Sequence, residues 1–385
     1  MKYRPEIDGL RAVAVMLVLL YHAGFSIFGR YDLFGAGDIG VDIFFVISGY
    51  LITTIILKEM SETGTFSFRK FYERRARRIL PALFFIILAS FPVAIHILPP
   101  LDLASYLDSL FYIVFFVSNY FFYEKGVNFG GEEQYLFEPF LHTWSLAIEE
   151  QFYLIFPVIL LLCARYFQKF TLSILLVLFS LSLLFAEFNT NRHGEFNYFM
   201  LPSRFWELLA GALLAHLEQE YGKIRRPLLN AVMPVVGMAS ILWFLLLFDP
   251  GPEHPSLTTL VPVLGTVLII AFASQEDLVG RILSFKPIVG IGLISYSLYL
   301  WHFPIYTYFE LTQPDATNLD KLGWIILSFL FAIMSYFCIE QPFRNRKLVT
   351  PKPFYISLVA VTALILSVTL FGDPVKIAQL SSLIE

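Results

Sequence analysis

Long apolar runs, each broken by a short polar connection, dominate the chain. To within a few residues they cover 9–29, 39–57, 79–98, 143–164, 170–187, 204–218, 229–248, 258–274, 289–310, 322–340 and 354–372. A helix needs about 20 apolar residues to cross roughly 30 Å of hydrocarbon. The pattern therefore predicts an all-α, polytopic membrane helix bundle of about eleven transmembrane helices. A twelfth run, 103–123, begins beside Asp102 and contains Asp108 and Asn119; it is expected to be a re-entrant or interface-lying segment.

Composition agrees with this class. Hydrophobic residues make up 57% of the 385 and charged residues 15%, and the mean hydropathy is +0.69, far from soluble-domain values. No large soluble domain is expected. The first run lacks a small-residue cleavage site and reads as a retained anchor. Cys163 and Cys338 lie inside apolar runs, where cysteine acts as a small hydrophobe. The net charge of −4 identifies no partner, and no nucleic-acid partner is expected.

Orientation follows from the basic residues, which mark cytoplasmic loops. Arg69, Lys70, Arg74, Arg75, Arg77 and Arg78 cluster in one connection, and Arg165 to Lys169, Lys223 to Arg226, Arg281 to Lys286 and Arg344 to Lys352 are basic too. The loops near Asp32, Glu132, Asn189, Glu253 and Asp315 then fall outside. This alternation closes only when 103–123 does not cross. It puts the N-terminus in the cytoplasm and the C-terminus outside.

Ionisable groups inside a bilayer are costly and usually serve a pathway or a reaction. Arg11 and His22 sit in the first span with ten residues between them, three helical turns plus roughly 20°, so they share a face about 16 Å apart along the axis. His22 can be a general base or a transient acyl carrier, or a packing residue bonding between helices. Arg11 can anchor an anionic donor or reach lipid phosphate. Counted at about 1.5 Å per residue, His22, His302, Glu149 and Glu150 reach a similar depth in the outer half of the membrane, with Asp42 and Glu207 slightly closer to the outer surface. This arrangement reads as a chamber loaded from the cytoplasm and opening outward.

Arg75 and Arg78 are three apart on one helix face. Paired guanidiniums suit phosphate, so a nucleotide-bearing donor is the sharper reading beside a purely topogenic basic stop. No Walker or GxGxxG loop accompanies them, which argues against ATP or NAD. The run His142 to Tyr153 puts Ser145 and Glu149 four apart, with Thr143 or Ser145 as alternative helix caps. Ser295 to Pro304 mixes hydroxyls with aromatics, either as an interface belt or as a path for a sugar or pantetheine arm. His142 is expected to be solvated and structural. No spaced metal-ligand set is present in the sequence, so no metal is expected.

Taken together these segments resemble integral-membrane acyltransferase family 3, in particular the branch that O-acetylates lipopolysaccharide, peptidoglycan and other envelope glycans. The resemblance rests on Tyr3 to Ala12, His22, Gly40 to Tyr50, the arginine cluster, His142 to Tyr153, Arg204 to Gly211, Ser295 to Pro304, and Glu340 to Arg344. It implies a bacterial inner-membrane enzyme that moves an acetyl group from cytoplasmic acetyl-CoA, or a related acyl-CoA, to a hydroxyl of an extracytoplasmic cell-envelope glycan. His22 would be the catalytic histidine, with Glu149 or Glu150 orienting it. Arg75 and Arg78 would contact the acyl-CoA and Arg11 would anchor it; Asp42, Trp144, Trp301 and His302 are candidate acceptor contacts. The acyltransferase domain is expected over 1–345. Residues 346–385 are expected to add a transmembrane helix and a short extracytoplasmic tail, as where family members continue into an SGNH-type domain; that soluble partner would belong to a longer protein or be encoded separately. The rival is a non-enzymatic transporter or flippase of an envelope glycan precursor, which would use the same polar groups for alternating access; no inverted repeat supports it.

Overall fold

The computed structural model describes residues 3–27, 30–31, 34–129, 137–224, 226–247 and 254–373. The loop assignments near Asp32, Glu132 and Glu253 and the tail 374–385 lie outside the described residues. In chain order the helices are α1 (Pro5–Ala23), α2 (Ile39–Thr63), α3 (Phe68–Ile97), α4 (Pro100–Val114), α5 (Ser118–Phe129), α6 (Thr143–Tyr166), α7 (Thr171–Asn189) and α8 (Gly194–Phe199). They continue with α9 (Leu201–Tyr221), α10 (Pro227–Leu247), α11 (Leu260–Phe272), α12 (Leu278–Leu283), α13 (Lys286–Thr312), α14 (Asn318–Ser335), α15 (Gln341–Arg344) and α16 (Pro351–Phe371). A π-helical turn, Tyr336–Glu340, joins α14 to α15.

The protein is an all-α bundle, and each of the eleven expected spans falls on a helix. Among the described residues eight helices are long and apolar enough to cross a membrane: α2, α3, α6, α7 with the turn before it, α10, α13, α14 continued through α15, and α16. The other three spans fall on α1, α9 and α11. α1 holds Glu6, Asp8 and Arg11; α9 holds Arg204, Glu207, Glu218 and Glu220; α11 has only 13 residues.

Two runs end differently from their hydropathy. α1 starts on Pro5, where a missing N–H costs nothing, but stops at Ala23 and not near residue 29. Gly24 takes the left-handed conformation (φ 57°) and its N–H bonds to the Tyr21 carbonyl, a glycine stop inside an apolar run. A two-residue β-ladder, Ser26–Ile27 with Arg30–Tyr31, follows. The 103–123 run breaks at Phe116, whose φ is 55°. The 15-residue α4 extends roughly 22 Å, short of the hydrocarbon thickness.

The chain forms two compact units: Met1–Phe66 with Ile148–Ser295, and Ser67–Ala147 with Tyr296–Glu385. In the first, α2 is the central helix, 72% of its apolar window being buried, and α1, α9 and α11 pack on it. Gly49 and Gly211 make the α2–α9 crossing: a Cβ on Gly49 would lie 1.8 Å from the Leu208 carbonyl oxygen, and one on Gly211 2.0 Å from that of Val46. Such backbone contact is how helices pack where lipid is as apolar as leucine. In the second unit α3 packs on the π turn and α15, and α16 on α4. Only 11% of the α16 window is buried, so its apolar surface is left for lipid.

Candidate active site

In the first unit, α1 carries both residues of the Arg11–His22 pair. Gly40 sits against Ala14 and Val18, and Gly37 against Leu17 and Tyr21, which defines the ridge of α1 that faces α2. At about 100° per residue the shared face of Arg11 and His22 points roughly 80° away from that ridge. His22 is half-buried in the last turn of α1. Its ring is bonded to the Val18 backbone four residues earlier, and the Tyr21 ring meets it edge-on at 4.9 Å. A ring N–H spent on a carbonyl leaves the other nitrogen to act as base. Arg11 Nη1 lies 3.3 Å from Asp8 Oδ1, and Tyr3 Oη donates to Asp8 Oδ2 at 2.9 Å. Asp8 is fixed in turn by Gly292 of α13, whose Cβ would stand 1.8 Å from the Asp8 carbonyl oxygen.

The two glutamates of α6 separate in role. Glu149 Oε1 accepts from Ser48 Oγ of α2 at 2.8 Å, and its Oε2 accepts from Tyr153 Oη at 3.0 Å. Both carboxylate oxygens therefore hold α6 to α2 and to its own next turn. Glu150, about 100° further round, is half-buried. Asp42 is fully buried and bonded to Arg204 of α9 at 3.0 Å.

In the second unit, α3 sorts its arginines by face. Arg75 and Arg78 are half-buried on one side. Arg77, which sequence alone does not separate from its neighbours, is 2% exposed. Its Nε bonds to Glu73 Oε1 at 3.0 Å, and its Nη1 donates to the carbonyls of Phe343 (3.1 Å) and Val349 (2.8 Å). The Phe354 ring lies under the guanidinium at 4.4 Å, and Arg346 Nη2 meets the other Glu73 oxygen at 3.0 Å. Arg77 thus ties α3 to the connection between α15 and α16. Glu340, in the π turn, is buried between Arg344 (2.9 Å) and Ser297 (3.0 Å).

The aromatic segment of α13 is interior to this unit. His302 is fully buried, and its Nδ1 lies 2.5 Å from the Tyr299 carbonyl, which makes Nδ1 the protonated nitrogen. Its ring meets His142 edge-on at 5.4 Å. His142, expected to be solvated, is instead buried among Tyr299, His302 and Phe303; the turn leading into α6 folds it inward. Tyr299 Oη donates to the His142 carbonyl at 2.8 Å and lies 2.6 Å from Ser145 Oγ. Trp301 stacks on Phe331 at 4.7 Å, and Trp144 is buried at the start of α6.

A family model described as an acyltransferase domain matches residues 4–372. The chain belongs to acyltransferase family 3. Among curated family relatives, the peptidoglycan O-acetyltransferase OatA of Listeria monocytogenes (serovar 1/2a, strain EGD-e) is 33% identical over 361 residues, covering 90% of this chain and 56% of the relative. The O-acetyltransferase OatA of Staphylococcus aureus (strain NCTC 8325) is 32% identical over 358 residues, covering 90% of this chain and 58% of the relative. The chain thus spans about three fifths of the length of the family relatives it matches. No solved structure matches it.

Ser48, Tyr153, Arg77 and His254 of this family member were not singled out from sequence. Tyr153 follows Glu149 by four residues, a spacing that places both on one helix face and that a search for carboxylate partners would have found. Ser48 and His254 act through contacts distant in sequence, so spacing carried no signal for them; for Arg77 spacing offers only Glu73, four residues earlier, while its bonds to Phe343 and Val349 lie far along the chain.

Proposed function

We propose that this protein is an O-acetyltransferase of the bacterial cytoplasmic membrane, moving an acetyl group from cytoplasmic acetyl-CoA to a hydroxyl of an extracytoplasmic envelope glycan, with peptidoglycan the first acceptor to test. The observation that carries this reading is identity of about one third to a peptidoglycan O-acetyltransferase across nine tenths of the chain, together with His22 and Arg11 on one face of α1. The N-terminus is assigned to the cytoplasm and α16 to an outward crossing, because the arginine-rich start of α3 fits the positive-inside rule.

Arg75 and Arg78 are assigned to the phosphates of the donor, where guanidiniums bind oxygens in a fixed fork. Arg11, neutralised locally by Asp8, is assigned to the donor's thioester end. His22 removes the proton of the acceptor hydroxyl; the oxygen attacks the thioester carbonyl, a C–O bond forms, the C–S bond breaks and the thiolate takes up a proton. Transfer through an acyl-His22 intermediate uses the same atoms in two steps. Glu149 is assigned to holding α6 on α2. Trp144, Trp301 and His302, all buried, are assigned to the wall behind the acceptor route.

The test is transfer of label from acetyl-CoA to peptidoglycan fragments by the purified chain in lipid vesicles. Labelled ester appearing on the glycan supports the proposal. Donor that neither binds nor loses its acetyl group to the glycan overturns it.

A further inference from the structure

The first unit encloses a charge cluster that the proposed chemistry leaves unused. It is assembled by Asp38 and Asp42 at the start of α2, Arg204 and Glu207 at the start of α9, and His254 in the segment before α11. Arg204 Nη1 lies 3.0 Å from Asp42 Oδ1, 3.2 Å from Glu207 Oε1 and 3.1 Å from His254 Nε2. Its Nε donates to the Tyr198 carbonyl at 3.1 Å, and the Tyr198 ring faces the guanidinium at 4.9 Å. His254 Nε2 is also 3.3 Å from Asp42 Oδ2 and 3.8 Å from Asp38 Oδ2, while its Nδ1 is 3.2 Å from Thr259 Oγ1. Asp42 and Glu207 are 0% exposed and Arg204 1%.

Charge does not balance if every carboxyl is ionised. Three carboxylates against one permanent cation leave two negative charges, or one if His254 is charged, enclosed in a membrane domain. An uncompensated buried charge costs several kcal/mol, and carboxylates crowded at one site do not all ionise. The geometry points the same way. Asp42 Oδ1 and Glu207 Oε1 both accept from the single Arg204 Nη1, at 3.0 and 3.2 Å, which holds the two carboxyls side by side, and their other oxygens, Asp42 Oδ2 and Glu207 Oε2, are buried with no hydrogen-bond partner among the described residues. Two ionised carboxylates are acceptors only; a bond between such neighbours needs one oxygen to carry hydrogen.

We propose that Asp42 and Glu207 share one proton at neutral pH, which makes this cluster a proton-binding site inside the first unit. One carboxylate pairs with Arg204 while its neutral neighbour donates to it. The consequence is specific: replacing either carboxyl by its amide keeps the charge balance, whereas replacing both leaves Arg204 with His254 and the more distant Asp38.

The test is infrared spectroscopy of the full chain in vesicles at neutral pH, in H2O and D2O. The wild type is expected to show a protonated-carboxyl carbonyl band that shifts down in D2O, lost in Glu207→Gln and equally in Asp42→Asn. Thermal unfolding of each single variant should stay close to wild type, and Asp42→Asn/Glu207→Gln should unfold at clearly lower temperature. A band unchanged in both single variants overturns the proposal, as does loss of carboxylate absorption from both in its place. Should Glu207→Gln fail to fold, the Asp42→Asn spectrum decides on its own: a lost band supports the shared proton and a retained band overturns it.

Discussion

Arg77→Leu removes a buried cation that α3 uses as a tether. Three groups lose their partner at once: Glu73, which keeps only Arg346, and the carbonyls of Phe343 and Val349. Breaking a buried ion pair from one side costs about 3–5 kcal/mol. The surviving Arg346 contact offsets part of this, and the leucine retains some packing on Phe354, so about 3 kcal/mol is expected. For a unit of this size that corresponds to roughly 6–12 °C in Tm. Arg74→Leu, on the exposed face of the same helix, should stay within about 0.5 kcal/mol of wild type. Thermal unfolding of the three proteins in one detergent compares them directly. An Arg77→Leu protein as stable as Arg74→Leu would refute the division of the arginine cluster into tether and donor-facing residues.

Other perturbations read different parts of the structure. Gly211→Leu forces α2 and α9 apart at the Val46 carbonyl and should cost about 3 kcal/mol or more, seen as loss of monodisperse protein on size-exclusion chromatography; an unchanged elution profile argues against the close crossing. Tyr153→Phe removes one of two hydrogen bonds to the Glu149 carboxylate, worth about 1.5–3 kcal/mol for a charged acceptor; if transfer depends on Glu149 holding α6 on α2, kcat for acetyl transfer falls with donor KM unchanged, and an unchanged kcat separates that contact from the chemistry. Glu138 lies in the connection before α6, bonded to Lys125 and Ser105, and burial raises its carboxyl above the ordinary range although Lys125 opposes the shift. A raised folded-state value means wild-type stability falls as pH rises from the ordinary carboxylate range through the raised one, so Glu138→Gln should compare more favourably with wild type at pH 8 than at pH 4. Equal differences at both pH values would contradict this.

The helices were legible because bilayer thickness sets a length that the apolar runs must meet, and the all-α class followed from that alone. Their interruptions were less so. Gly24 and Phe116 lie inside apolar stretches, where hydropathy averages over the single backbone conformation that ends a helix. The Arg11–His22 face could be worked out from helical periodicity and is retained in α1. The separation of Arg77 from Arg75 and Arg78 could not, because it depends on carbonyls some 270 residues further along the chain. His254 joins Asp42 and Arg204 from a connecting segment with no periodicity to read. Buried ionic networks of this kind are assembled by tertiary contact, and sequence spacing reports only their intrahelical pairs, such as Arg204 with Glu207.

His22 is the residue on which the proposed chemistry turns, and its direct test is acetyl transfer by His22→Ala beside wild type, with acetyl-CoA binding measured on the same preparations. If His22 takes the acceptor proton or carries the acyl group, the variant binds donor as wild type does while transfer falls by at least 10²-fold, the scale of general acid–base catalysis. Transfer at the wild-type rate by a donor-binding His22→Ala protein would contradict that role and leave His22 as a packing residue of α1.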